Sequence, residues 1–230
     1  MKNQLLGIAA LLIFASIAVH HADALEVAVG DTRINLAGPK GYCAMDKKNP
    51  TDREMLAASQ ELLKGRIELL AVYASCDRLA SWRAGKIESP GDSAQYQISL
   101  QNKPKQFAAE AIIPAICTEF RKNAAAVYKG AQAEINKRFD AVASTASRLK
   151  VNDQQAYGVL HEDKTGCYNG ILQKLEINGK VASMFIVQAI TVVKGKLLFF
   201  NFGNEIEGPA TAQRVLEISR STVAATLAQN

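Results

Sequence analysis

Proline is scarce in this sequence, 6 of 230 residues, glycine at 15 is no more than average, and neither gathers into a low-complexity stretch. That excludes collagen-like and Pro/Gly-rich disordered chains. Histidine is scarcer still, with 3 in all, at His20, His21 and His161. No Cys-x-x-Cys occurs, no Gly-x-Ser-x-Gly elbow exists to expose a nucleophile, and no Gly-rich phosphate or dinucleotide loop follows a strand pattern. The chain therefore carries no recognisable catalytic motif. What is present is ordinary: an apolar fraction of 48% and a charged fraction of 21% are those of a folded globular protein.

The longest apolar run, Leu5 to Val19, is broken only by Gly7 and Ser16 and follows the positive Lys2. About 15 residues fall short of the ~20 that span a hydrocarbon core. Ala22-Asp23-Ala24 then places small residues where a signal peptidase requires them. The pattern predicts a signal peptide over residues 1–24 and a single α+β domain over 25–230, with no transmembrane segment after cleavage and the product periplasmic or secreted. A lipoprotein would need a Cys directly after the site, and the first is Cys43.

Cysteine usage agrees with export. Cys43, Cys76, Cys117 and Cys167 form an even set in the mature part, which predicts two disulfides in an oxidising compartment. Of the three possible connectivities, loop-closure entropy favours chain neighbours, Cys43–Cys76 and Cys117–Cys167. A zinc site would need four convergent ligands; His161 is the only histidine left after cleavage and no Cys has ligand spacing, so neither metal nor other cofactor is expected. Lys2 and Asp23 cancel, so the mature part keeps the formal charge of +5. That charge favours an anionic envelope component or an acidic envelope protein as partner. The basic pairs Lys47-Lys48, Arg121-Lys122, Lys137-Arg138 and Lys194/Lys196 are interleaved with acids and read as solvated surface, which together with export argues against nucleic acid.

Along the chain, Glu26 to Val29 and Arg33 to Leu36 alternate around Gly30-Asp31, the pattern of a hairpin. Thr51 and Glu54 predict a capping box for a helix through Lys64. Ile67 to Tyr73 reads as a buried strand, Arg78 to Ala84 as a short helix, and Tyr96, Ile98 and Leu100 as an alternating strand. From Pro104 to Leu149 the sequence is Ala-rich and helical, with Pro114 expected to kink or break it and a stripe at Ile135, Phe139, Val142, Ala146 and Leu149. Strands are predicted at Ala156 to Leu160, Ile171 to Ile177, Val181 to Val193 and Lys196 to Phe202, with a type I′ turn at Asn178-Gly179. Gly208-Pro209 opens a closing helix. Strands joined by tight turns are antiparallel, so the fold class is an α+β antiparallel sheet flanked by helices, with a long helical insert.

The hairpin, the early helix, the meander ending in Thr191-Val192-Val193-Lys194-Gly195-Lys196 and the terminal helix closing at Gln229-Asn230 resemble the PsbP-like α/β/α sandwich. The resemblance covers mainly the N-terminal hairpin and the last third; the helical insert departs from that family's compact pattern. Gly41-Tyr42-Cys43, the run from Cys76 to Arg83, and Ala94-Gln95-Tyr96-Gln97 also resemble exported bacterial proteins of uncharacterised function. The resemblance implies a non-catalytic accessory module that docks on a larger assembly, and it transfers no catalytic residue.

The candidate recognition surface is the polar stretch between Cys76 and Tyr96. It carries the only Trp, Trp82, beside Arg83, with Arg78 and Lys86 a turn away, and Trp and Arg are enriched at binding hot spots. The alternative use of the pair is structural, Trp82 plugging the core edge under Arg83. The first functional reading is an exported, non-catalytic binding or accessory protein of the cell envelope. The alternative from another class is an envelope hydrolase using His161, with Cys167 as a thiol or Ser81, Ser144 or Ser183 as nucleophile, or using a carboxylate pair among Glu162/Asp163, Glu205/Glu207 and Glu110/Glu119.

Overall fold

The computed structural model describes residues 24–142, 149–177 and 179–230. Residues 1–23 of the predicted signal peptide lie outside them, as does Asn178 of the predicted type I′ turn. The described residues form an N-terminal hairpin, β1 (Leu25–Val29) with β2 (Thr32–Leu36), and a seven-stranded antiparallel sheet. The hairpin turns through Gly30-Asp31 with Val29 opposite Thr32, and Gly30 holds φ +59°, a conformation that glycine takes without strain.

The large sheet contains β3 (Tyr42–Ala44), β4 (Ile67–Ser75), β5 (Ser93–Ser99), β6 (Leu149–Asp163), β7 (Gly166–Ile177), β8 (Lys180–Val193) and β9 (Lys196–Glu205), ordered β3-β4-β5-β9-β8-β7-β6. Four helices, α1 (Pro50–Leu63), α2 (Cys76–Arg83), α3 (Ala109–Val142) and α4 (Thr211–Ala228), flank it. The central strands are apolar on both faces. Phe185, Val187, Ala189 and Val193 of β8 and Leu198, Phe200 and Phe202 of β9 pack with α4 and the hairpin, whereas Ile190, Val192 and Leu197 meet Ile113 and Cys117 of α3. A strand buried on both sides is apolar nearly throughout, and the one polar side chain in 189–193, the fully buried Thr191, donates its hydroxyl to the Thr165 carbonyl at 2.6 Å.

Two tyrosines fix the hairpin over the sheet. Tyr96 donates its hydroxyl to the Ala37 carbonyl at 2.8 Å, and Tyr73 donates to the Leu36 carbonyl at 3.4 Å. Burial pushes the Tyr73 hydroxyl up to about 12 and holds that of Tyr96 well above its ordinary range, so both stay neutral donors. At the outer strand of the hairpin, the Asn230 side chain pairs with both backbone groups of Asn35, at 3.0 and 2.8 Å.

Several local expectations are corrected. The N-cap of α1 is Asn49, whose side chain accepts from the Thr51 and Asp52 amides at 3.0 and 3.2 Å; Pro50 takes the first helical position, so Thr51 lies inside the helix. Pro114 does not break α3: it stands early in the helix, and it and Glu110, whose carbonyl loses its partner, are both exposed. Leu149 opens β6 instead of ending the helix. The side chains of the predicted stripe through Ile135, Phe139 and Val142, and Ala146 itself, lie outside the described residues. Asn136 of α3 reaches across to β6, accepting from the Val151 amide at 3.1 Å and donating to its carbonyl at 2.9 Å. The predicted strand at 156–160 extends to Leu149–Asp163 because three register breaks let the edge strand follow β7. Leu100 falls outside β5, in the turn that follows it, and is 40% exposed.

Candidate functional site

The structure distributes the predicted recognition residues unevenly. Arg83, at the end of α2, grips the buried Asp52 of α1: Nε donates to Oδ1 at 2.9 Å and Nη2 donates to Oδ2. The Asp46 amide donates to the same Oδ2 at 2.7 Å. Burial pushes the Asp52 carboxyl up, but these hydrogen bonds and the guanidinium charge outweigh it and hold the carboxyl below its ordinary range. Arg78 donates Nε to the Pro90 carbonyl at 3.0 Å and lies against Gly91, bracing the loop 84–92. Both arginines thus tie down their own segment. Trp82 is half-buried, and Lys86 is exposed.

His161 lies at the end of β6 with Nε2 3.1 Å from Asp163 Oδ2. The other oxygen of Asp163 accepts from the amides of Thr165 and Gly166 at 2.8 and 3.1 Å and from the Thr165 hydroxyl, closing the β6–β7 turn. Burial raises the Asp163 carboxyl, and the Thr165 hydroxyl and amide, His161 and the Gly166 amide together bring it below its usual range. One oxygen of Asp163 thus closes the turn, while the other stays within hydrogen-bond reach of the imidazole. The Thr165 hydroxyl gives its proton to Asp163 and not to the ring.

The carboxylate pairs come apart. Glu162 and Asp163 are adjacent in a strand and point to opposite faces, Glu162 to Arg121 of α3 at 2.5 Å and Asp163 toward Arg220 of α4 at 3.9 Å. Glu110 and Glu119 sit about 13 Å apart along α3 and half a turn round it. Glu207 pairs with Arg214 at 2.8 Å. The cysteines join as Cys43–Cys76, tying β3 to the start of α2, and Cys117–Cys167, tying α3 to β7. Cys167 is thus no thiol. Among the described residues no cluster of three or more His, Cys, Asp or Glu could hold a metal ion, and no helix is long and apolar enough to cross a membrane.

The site that sequence reasoning missed lies where three turns meet. Lys194 and Gly195 join β8 to β9 with φ +47° and +77°, the left-handed pair that a tight two-residue hairpin needs. Lys194 donates Nζ to the Arg33 carbonyl of β2 at 3.1 Å. Gly195 accepts from the Phe107 amide at 2.9 Å and lies against Gln106. Lys196 is not solvated surface: it is 4% exposed and donates Nζ to the carbonyls of Lys103 and Lys105 at 3.0 and 3.2 Å. The Lys-Gly-Lys turn thereby fastens the hairpin and the segment 100–107 to the sheet.

Between these straps lies a cleft of about 340 Å³ lined by Gly30, Asp31, Leu100, Lys103, Pro104 and Lys196. Of the lining residues, Lys103 pairs with Glu68 of β4 at 2.5 Å. Comparison with protein families, curated proteins and solved structures finds no match. The cleft is at the Ser99 end of β5 and the α2 segment at its Ser93 end, roughly 20 Å away along the strand. One signal for Lys196 was available: it is in phase with Leu198, Phe200 and Phe202 on the alternating pattern of β9, so its side chain had to start on a buried face.

Proposed function

We propose that the protein is exported and works as a non-catalytic binding or accessory protein of the cell envelope, its partner an envelope protein or an anionic envelope component. The observation that carries this reading is the pair of disulfides, each joining separate elements of the sandwich. Such bridges persist in oxidising compartments. The charged leader, apolar run and small-residue site of residues 2–24 support the same destination. The resemblance to PsbP-like sandwiches supports docking in preference to turnover. So does the fate of other candidate catalytic groups: Cys167 is bridged, and Glu162 and Glu207 are paired with arginines.

Affinity capture from envelope extracts with the exported protein tests the reading, run beside a His161→Ala variant. Both are expected to enrich the same component, because His161 is held against Asp163 and Tyr168 at the β6–β7 turn. Turnover of an envelope polymer that His161→Ala abolishes at unchanged Tm would overturn it in favour of the hydrolase.

A further inference from the structure

We infer that the cleft between the three turns binds a small organic carboxylate, with its carboxylate on Lys196 and its hydrocarbon part against Leu100 and Pro104. This deepens the binding role proposed above and rests on it only for the compartment in which the ligand is met.

The ammonium of Lys196 has three donors. Two are spent on the carbonyls of Lys103 and Lys105, which leaves one. Among the described residues Lys196 forms no ion pair, although it is 4% exposed. A buried charge without a counter-charge is costly, and two peptide carbonyls offset only part of that cost. An anion entering the cleft offsets the rest.

The lining also sets the charge and size of the guest. Lys103 is already neutralised by Glu68, which leaves Lys196 and Asp31 as the charged lining residues without an ion pair among the described residues. A guest with a single negative charge meets less repulsion from Asp31 than a phosphate dianion does. A volume of about 340 Å³ is at the lower end of small-molecule pockets. Leu100 of the lining is 40% exposed, and a short hydrocarbon chain would cover it.

The test is an NMR titration of the purified, isotope-labelled protein with sodium butyrate at constant ionic strength, with sodium phosphate and butylamine hydrochloride as separate arms. Saturable butyrate shifts are expected at the amides of Gly30, Asp31, Leu100 and Lys103, with butylamine silent and phosphate weaker. Lys196→Met should weaken butyrate by about tenfold or more, the worth of a charged hydrogen bond. Because that variant also cuts two straps, two exposed positions give independent readings. Asp31→Asn should tighten butyrate about threefold by removing a like charge, and Leu100→Ser should weaken it. Non-saturable shifts, an equal response to phosphate, or unchanged affinity in Asp31→Asn would overturn the assignment. That failure would leave capture of an envelope partner through another face intact, so the two proposals fail separately.

Discussion

Reduction of the two disulfides is expected to lower the unfolding free energy by about 4 kcal/mol per bridge, from the loop-closure entropy restored to the unfolded chain. The bridges close loops with sequence separations of 33 and 50, long enough for that term to be large in both. The effects should not be equal. Cys117 and Cys167 are both fully buried between α3 and the sheet, whereas Cys43 and Cys76 are partly exposed at its edge. Replacing the inner pair by alanine therefore also removes packed sulfur, so Cys117→Ala/Cys167→Ala should lose more than Cys43→Ala/Cys76→Ala. Urea denaturation of the two double variants beside the oxidised protein measures this. Unchanged midpoints, or a larger loss at the edge bridge, would contradict it.

The second large effect is expected at Arg83, and it is asymmetric. Removing the guanidinium by Arg83→Ala leaves Asp52, fully buried, with a charge supported only by the Asp46 amide, and should cost about 3–5 kcal/mol. Asp52→Asn should cost less, about 1–3 kcal/mol. The Arg83 side chain is 30% exposed and retains access to water once its partner is neutral. The pH dependence has a definite sign. The folded state holds the Asp52 proton more weakly than the unfolded chain does, so the pair's contribution is complete above the ordinary carboxylate range and is lost as pH falls through it. Denaturation midpoints between pH 7 and the acid limit should show that loss in the native chain and a smaller one in Asp52→Asn. A steeper acid loss in Asp52→Asn would contradict the assignment.

The contact between Arg83 and Asp52 marks where sequence reading ended. Arg83 beside the only Trp reads as a recognition pair from local chemistry, but its partner lies 31 residues upstream on another helix, and no local pattern encodes that distance. Features fixed by short range were legible. The Gly30-Asp31 hairpin, the meander of the C-terminal third and the closing helix follow from alternation and turn residues, and the cysteine pairing follows loop entropy. At the start of α1 two local signals compete. Thr51 and Glu54 satisfy the capping-box pattern, but Asn49 followed by Pro50 makes the stronger start, since proline fits the first helical position. A lysine pair such as Lys194/Lys196 reads as solvated surface, whereas two carbonyls from the segment 103–105 offset the burial of Lys196. Those carbonyls belong to a turn some 90 residues away, and only the folded chain brings them to the ammonium.

The central claim is that this sandwich is built for, and works in, an oxidising compartment outside the cytoplasm. Mass spectrometry of the protein recovered from its native cells by fractionation, under non-reducing conditions with thiol alkylation, tests it most directly. The expected result is a chain beginning at Leu25 in the extracytoplasmic fraction, with all four cysteines unalkylated and paired as Cys43–Cys76 and Cys117–Cys167. A chain beginning at Met1, recovered from the cytosol with its cysteines alkylated, would contradict it.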